Sequence, residues 1–253
     1  VIITLGSIRG APGVTSWAVL LAAVWPPTHD VERVVLEADP AGGVLGARYQ
    51  IGVEPGLPQF LAGLRRSENP SPDIDRCARL VSDQVWFIPA PETGERTRAV
   101  LGAVTDEAAR QLAADQRVWF IDAGRLDETN PSLALVGHAS LTVLVVGART
   151  EDLVQVPSCV ERLRKRCERI GVIVSGQTPF SRSELLEFSS ADRVWIVGDR
   201  NDLAAGAALA LAGRRGRRTW AWRQALDVAS WAAELVPSGG SSLLNERSVE
   251  VGP

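Results

Sequence analysis

Short, almost continuously apolar runs recur along the chain, at Val1–Ile8, Arg33–Leu36, Gln84–Ile88, Arg117–Ile121, Leu141–Val146, Ile170–Val174 and Arg193–Val197. A strand buried on both faces reads this way, because alternate side chains meet apolar layers above and below the sheet. Between the runs lie stretches of helical character at Thr15–Val24, Thr93–Ala114, Leu153–Arg169 and Ser183–Phe188, then Asp202–Ala212 and Trp220–Leu235. Strands alternating with helices predict βαβ units with right-handed crossovers. The expected fold class is therefore α/β, a mainly parallel twisted sheet of about seven strands flanked by helices on both faces. Residues Glu54–Asp75 contain several Pro, Gly and Ser and predict a loop carrying one short helix around Leu57–Leu64. From Pro237 the run P-S-G-G-S-S predicts a flexible tail over 237–253, following one domain over 1–236.

Composition narrows the function classes. Apolar residues make up 45% of the 253 and charged residues 23%, a globular balance that argues against disorder for the bulk of the chain. A net charge of −3 gives no global pull toward nucleic acid or anionic membrane, so binding of either kind needs a local patch. Cys77, Cys159 and Cys167 form no C-x-x-C pair, and His29 and His138 stand apart, so no zinc site is expected and the thiols read as buried in a reducing compartment. The longest apolar stretches, Trp17–Trp25 and Leu203–Ala212, fall short of the roughly 20 residues that span a bilayer. With no charged leader at the start, a soluble cytoplasmic protein is expected. The chain contains no methionine, so its natural start is expected to be missing.

Candidate chemistry begins where the first strand ends. Arg9-Gly10-Ala11-Pro12-Gly13-Val14-Thr15-Ser16 runs from that strand into an apolar helix. Small residues let backbone N–H groups approach an anion, and the helix N-terminus adds the positive end of its dipole. Thr15 stands where a hydroxyl can ligate Mg²⁺ beside phosphates. The same residues also make a plain glycine-rich turn, and residue types alone leave both readings open.

The segment resembles the deviant phosphate loop of the ParA/MinD family, K-G-G-x-x-G-K-[ST]-[ST] or its shorter form K-G-G-V-G-K-T-T. Against the shorter form Arg9 falls on the signature lysine, Gly10 and Gly13 on glycines, and Thr15 and Ser16 on the hydroxyl residues. Val34-Val35-Leu36-Glu37-Ala38-Asp39-Pro40 resembles the family's second strand, which ends in D-x-D-P, and Val118-Trp119-Phe120-Ile121-Asp122 resembles its Walker B strand. Gln84–Pro91 is similar to the intervening strand. The resemblance implies ATP and Mg²⁺ as cofactors, with the loop residues on the phosphates and Thr15, Asp39 and Asp122 around the metal. Glu37 or Asp39 would orient the attacking water. A solvated strand end or helix cap remains the alternative for each carboxylate, and a turn for Asp39 before Pro40.

Departures from the pattern weaken that expectation. Val14 occupies the place of the lysine that contacts the β- and γ-phosphates. Val174-Ser175-Gly176-Gln177 lacks the family's base-reading Asn, and Asp122-Ala123-Gly124-Arg125 replaces D-T-P-P. Losing one partner of a buried charge pair costs about 2–5 kcal/mol, tens- to thousands-fold in affinity. Arg9 or Arg125 could supply the missing charge, since a guanidinium suits phosphate oxygens.

Near the end, Arg214-Arg215-Gly216-Arg217-Arg218 precedes Trp220-Ala221-Trp222-Arg223, with Trp231 further along. Arginines interleaved with tryptophans suit DNA or an anionic membrane surface. A solvated turn before a helix whose tryptophans pack on the sheet is the reading preferred here. The resemblance thus implies a positioning or assembly factor with a degenerate nucleotide site and little ATPase activity. It would act as a homodimer on protein partners, in the manner of TadZ/CpaE-like members of pilus or secretion machinery. The alternatives are an active ATP-dependent partition or division switch and a nucleic-acid-binding module using Arg214–Arg223.

Overall fold

The computed structural model describes residues 1–9, 13–26, 31–66, 74–198, 203–212 and 220–235. Their strands are β1 (Ile2–Ser7), β2 (Arg33–Glu37), β3 (Arg79–Ser82), β4 (Val85–Ile88), β5 (Val118–Arg125), β6 (Leu141–Gly147), β7 (Ile170–Ser175) and β8 (Arg193–Val197). They form one eight-stranded sheet in the order β3-β4-β2-β5-β1-β6-β7-β8, parallel except for β3 against β4. The expected strands are all present, and the sheet gains one strand at its edge.

That extra strand is short and carries only two apolar residues, one of them, Leu80, exposed. An edge strand covered on one side has no continuous apolar run to announce it. Gln84, expected to open the next strand, instead adopts φ 57° in the turn between β3 and β4. A residue in the left-handed region cannot continue a pleated strand.

The helices are α1 (Val14–Ala23), α2 (Leu45–Tyr49), α3 (Leu57–Leu64), α4 (Gly94–Leu101), α5 (Asp106–Ala114), α6 (Leu133–Val136), α7 (Thr150–Leu153), α8 (Val156–Arg164), α9 (Arg182–Ser189), α10 (Leu203–Leu211) and α11 (Trp220–Ala233). The single helix expected over Thr93–Ala114 is two, α4 and α5. The Thr105 hydroxyl accepts from the Ala108 amide at 3.2 Å and starts a second helix after Gly102. Likewise Leu153–Arg169 resolves into α7 and α8, the latter with Pro157 in its first turn, where a missing N–H costs least.

Alternation along the central strands builds two cores. On β5, Val118 and Phe120 face α1, and Phe120 meets Trp25 edge-on at 5.6 Å. Trp119 and Ile121 face the other side, where Trp119 lies 5.5 Å from Phe60 of α3. On β2 the same parity sends Val35 to the α1 side and Val34 and Leu36 to the α3 side. α10 and α11 complete the layer containing α1, and Trp231 of α11 packs at a tilt against Trp195 of β8, 5.3 Å between ring centroids. Among the described residues no helix is long and apolar enough to cross a membrane.

Candidate functional site

The parity that builds the cores also gathers the acids. Glu37 and Asp122 end their apolar runs on the same face as Val35 and Phe120, and they are paired in register across β2 and β5. Both therefore point to the α1 side at the C-terminal end of the sheet. Leu5 of β1 is Asp122's partner on the other flank, and β1 leads through the loop into α1. Gly13 caps α1 with φ 95°, a left-handed conformation that favours glycine, and Leu203 of α10 packs so close that a Cβ there would meet it at 2.8 Å.

Asp122 is fully buried. Its Oδ1 accepts from the Gly124 amide at 3.2 Å, and the Thr15 hydroxyl in the first turn of α1 lies near enough to its carboxyl to favour the charged form. Oδ2 has no protein partner among the described residues. Burial raises the Asp122 pKa to about 7, opposed by the Thr15 hydroxyl and reinforced by the neighbouring charges of Glu37 and Asp39. Asp39, half-buried beyond the end of β2, accepts from the Ala41 amide at 2.8 Å through Oδ1. Its carboxyl lies against Gly124, which has φ 61° and no room for a Cβ, so β5 kinks there to admit Asp39. Burial raises the Asp39 pKa as well.

Glu37 does something else. Its Oε1 accepts from the amides of Val44 and Leu45, at 2.6 and 3.0 Å, and its Oε2 from the Ala90 amide at 2.9 Å. Burial raises its pKa and these three amides oppose the rise. The carboxylate is fully engaged in joining the start of α2 to the segment after β4, a positioning task.

The loop residues divide. Gly10, Ala11 and Pro12 lie outside the described residues. Arg9 is exposed. Val14, at the lysine's place, is buried in the core between α1 and the sheet. Arg125 reaches toward Asp127 at 3.9 Å and lines a cleft with Ile8, Gln155 and Arg162 on the α8 side, the opposite face from α1. Ser16 is buried, and its hydroxyl accepts a hydrogen bond from Arg48 of α2 at 3.0 Å. Sequence reasoning missed Arg48, because α2 is a five-residue helix too short to impose a period on the segment between β2 and the expected loop at Glu54–Asp75. The one signal was Leu45 and Tyr49, four residues apart on a helical face. At the end of β7, Ser175 is buried, Gly176 has φ 117° and Gln177 is exposed. Of the terminal basic stretch, Arg214–Arg218 lie outside the described residues, whereas Trp231 packs on the sheet.

Among the described residues no carboxylate of Glu37, Asp39 or Asp122 has an ion-pair partner, and no three His, Cys, Asp or Glu side chains gather as a metal site of their own. A hydroxyl and one or two carboxylates suit Mg²⁺, which keeps several waters and takes its remaining ligands from phosphate oxygens. The unpartnered Asp122 Oδ2 beside Thr15 fits that role.

No protein-family model matches the chain, and no curated protein matches it in sequence. Solved structures do. A ParA-family ATPase from Chlorobium tepidum superposes with a TM-score of 0.69 over 90% of this chain and 97% of its own, at 15% identity. The septum site-determining protein MinD of Pyrococcus horikoshii, complexed with Mg-ADP, gives 0.71 over 93% and 97%, at 13% identity. The MinC:MinD complex of Aquifex aeolicus gives 0.63 over 92% and 95%, at 14% identity. The chain has the fold of the ParA and MinD proteins.

Proposed function

We propose that this protein is a ParA/MinD-like positioning or assembly factor that binds Mg-nucleotide at the N-terminus of α1 and hydrolyses it poorly. One arrangement carries the reading: Asp122 is buried against Thr15 with an oxygen to spare, while Val14 packs into the core. The first half is what a magnesium–phosphate site needs, and the second lacks the cation that stabilises a transferring phosphoryl group. Thr15, Asp39 and Asp122 would hold Mg²⁺, which supplies charge neutralisation of the phosphates. The amides at the start of α1, with the dipole of that helix, would orient the nucleotide. Glu37 serves by fixing α2 and the strand ends, and Asp39 is the acid left to orient water. Dimerisation and protein partners, as in the MinC:MinD complex, would then carry the output, with pilus or secretion machinery as one setting.

The test is calorimetric titration of Mg-ATP into the protein, together with a phosphate-release assay. Binding is expected in the micromolar to millimolar range, lost in Asp39→Ala and weakened in Arg9→Ala, with phosphate release near background. No binding at millimolar Mg-ATP would replace this reading with a nucleotide-independent scaffold. Asp39 and Asp122, both without an ion-pair partner among the described residues, favour one second reading, an active ATP-dependent switch. Turnover that depends on Asp39 would establish it.

A further inference from the structure

We propose that Arg48, delivered by α2, is the phosphate-binding cation of this site and replaces the charge missing at Val14. The inference rests on the nucleotide reading above and names the residue that makes it workable. A nucleotide phosphate set among Glu37, Asp39 and Asp122 meets repulsion unless positive charge faces it. The sequence offered Arg9 and Arg125, and the geometry turns Arg125 to the opposite face of the sheet.

Arg48 is placed otherwise. Its Nη1 donates to Ser16 Oγ at 3.0 Å, which brings the guanidinium to the first turn of α1, one residue from Thr15. A guanidinium carries five N–H donors in a planar fork, so donors remain for phosphate oxygens beyond Ser16 and the neighbouring Tyr49 hydroxyl. Among the described residues no carboxylate pairs with it. The side chain is exposed at the start of α1, so an anion arriving from solvent can reach its free donors.

The helix that carries it is anchored at both ends. Glu37 accepts from the amides of Val44 and Leu45 at its start. At its end the Tyr49 ring sits edge-on to Phe87, 5.1 Å between centroids. Glu37 therefore acts on the phosphate site at one remove, by fixing the position of Arg48. On the sheet side, the buried Asp122 Oδ2 has no partner among the described residues. Asp122 thus neighbours Thr15 and the guanidinium is bonded to Ser16, two consecutive residues in the first turn of α1.

The experiment compares Mg-ATP and Mg-tripolyphosphate titrations for wild type, Arg48→Gln and Arg48→Lys. Gln keeps a donor for Ser16 and removes the charge; Lys keeps the charge without the fork. Arg48→Gln is expected to weaken both ligands roughly tenfold or more at an unchanged melting temperature, with Lys recovering part of the loss. Wild-type binding that Arg48→Gln leaves intact would overturn the role of Arg48 while the nucleotide site stands. If wild type binds neither ligand at millimolar concentration, both readings fall together. Should Arg48→Gln lower the melting temperature, Arg48→Lys decides: folded with wild-type affinity supports the charge role, and folded without affinity refutes it.

Discussion

An ionised carboxylate without solvent and without a counter-charge is costly to keep, and Asp122 is in that position. Its carboxyl holds a proton up to about pH 7 in the folded chain, against an ordinary value of 3.8. Between those values the folded state binds more protons than the unfolded one. The group's stabilising share is therefore complete below about pH 4 and declines as the pH rises toward 7. Asp122→Asn keeps the acceptor for Gly124 and removes the titration. In EDTA-treated protein the variant should be more stable than wild type at pH 8, by up to about 4 kcal/mol, with the gap closing toward pH 5. Urea unfolding at the two pH values measures it; a gap of equal size at both would mean that Asp122 ionises as a solvated acid does. This liability is legible only in part from sequence. D-x-D-P and the strand before Asp122 mark where acids collect, but nothing in them says that Glu37 is consumed by three amides while Asp122 keeps an oxygen unused.

At the scale of elements, α11 is where two sequence readings meet. Its tryptophans suited either a nucleic-acid surface or a packed helix, and Trp231 answers for itself by packing against Trp195. Asp227 of the same helix accepts from the Trp195 indole at 2.7 Å and from Arg193 at 3.2 Å, tying α11 to β8. Trp231→Ala should cost about 3 kcal/mol through the cavity it leaves, and Asp227→Ala about 1–2 kcal/mol through the unpaired indole N–H. Denaturant titration checks both. Variants that unfold as wild type does would detach α11 from the core and reopen the surface role for its tryptophans. What was readable here follows from burial. Strands buried on both faces announce themselves as apolar runs, so seven of the eight were visible in outline. β3 has one covered side and two apolar residues, and α2 is a single turn and a half; neither is long enough to impose a period. The breaks at Thr105 and Pro157 were written in the sequence as a cap and a first-turn proline, but a continuous helical pattern on both sides masked them.

The whole molecule places its unspent chemistry on one rim. Arg9, Arg48, Asp39, Asp122 and the start of α1 all lie at the C-terminal ends of the strands, where α/β sheets bind ligands. A rim carrying both signs of charge is self-complementary about a twofold axis, since the cation of one copy can face the carboxylate of the other. If, as proposed, this site holds nucleotide weakly, a dimer would have to rest on the charges of the rim itself. The expectation is a dimer that forms without nucleotide, dissociates as salt screens the rim, and gains little from Mg-ATP. Light scattering on the eluting protein, at low and high salt with and without Mg-ATP, decides the matter. A monomer that pairs only when Mg-ATP is present would move this chain from scaffold to switch, and would imply that Arg48 and Thr15 hold the phosphates tightly enough to do without the lysine.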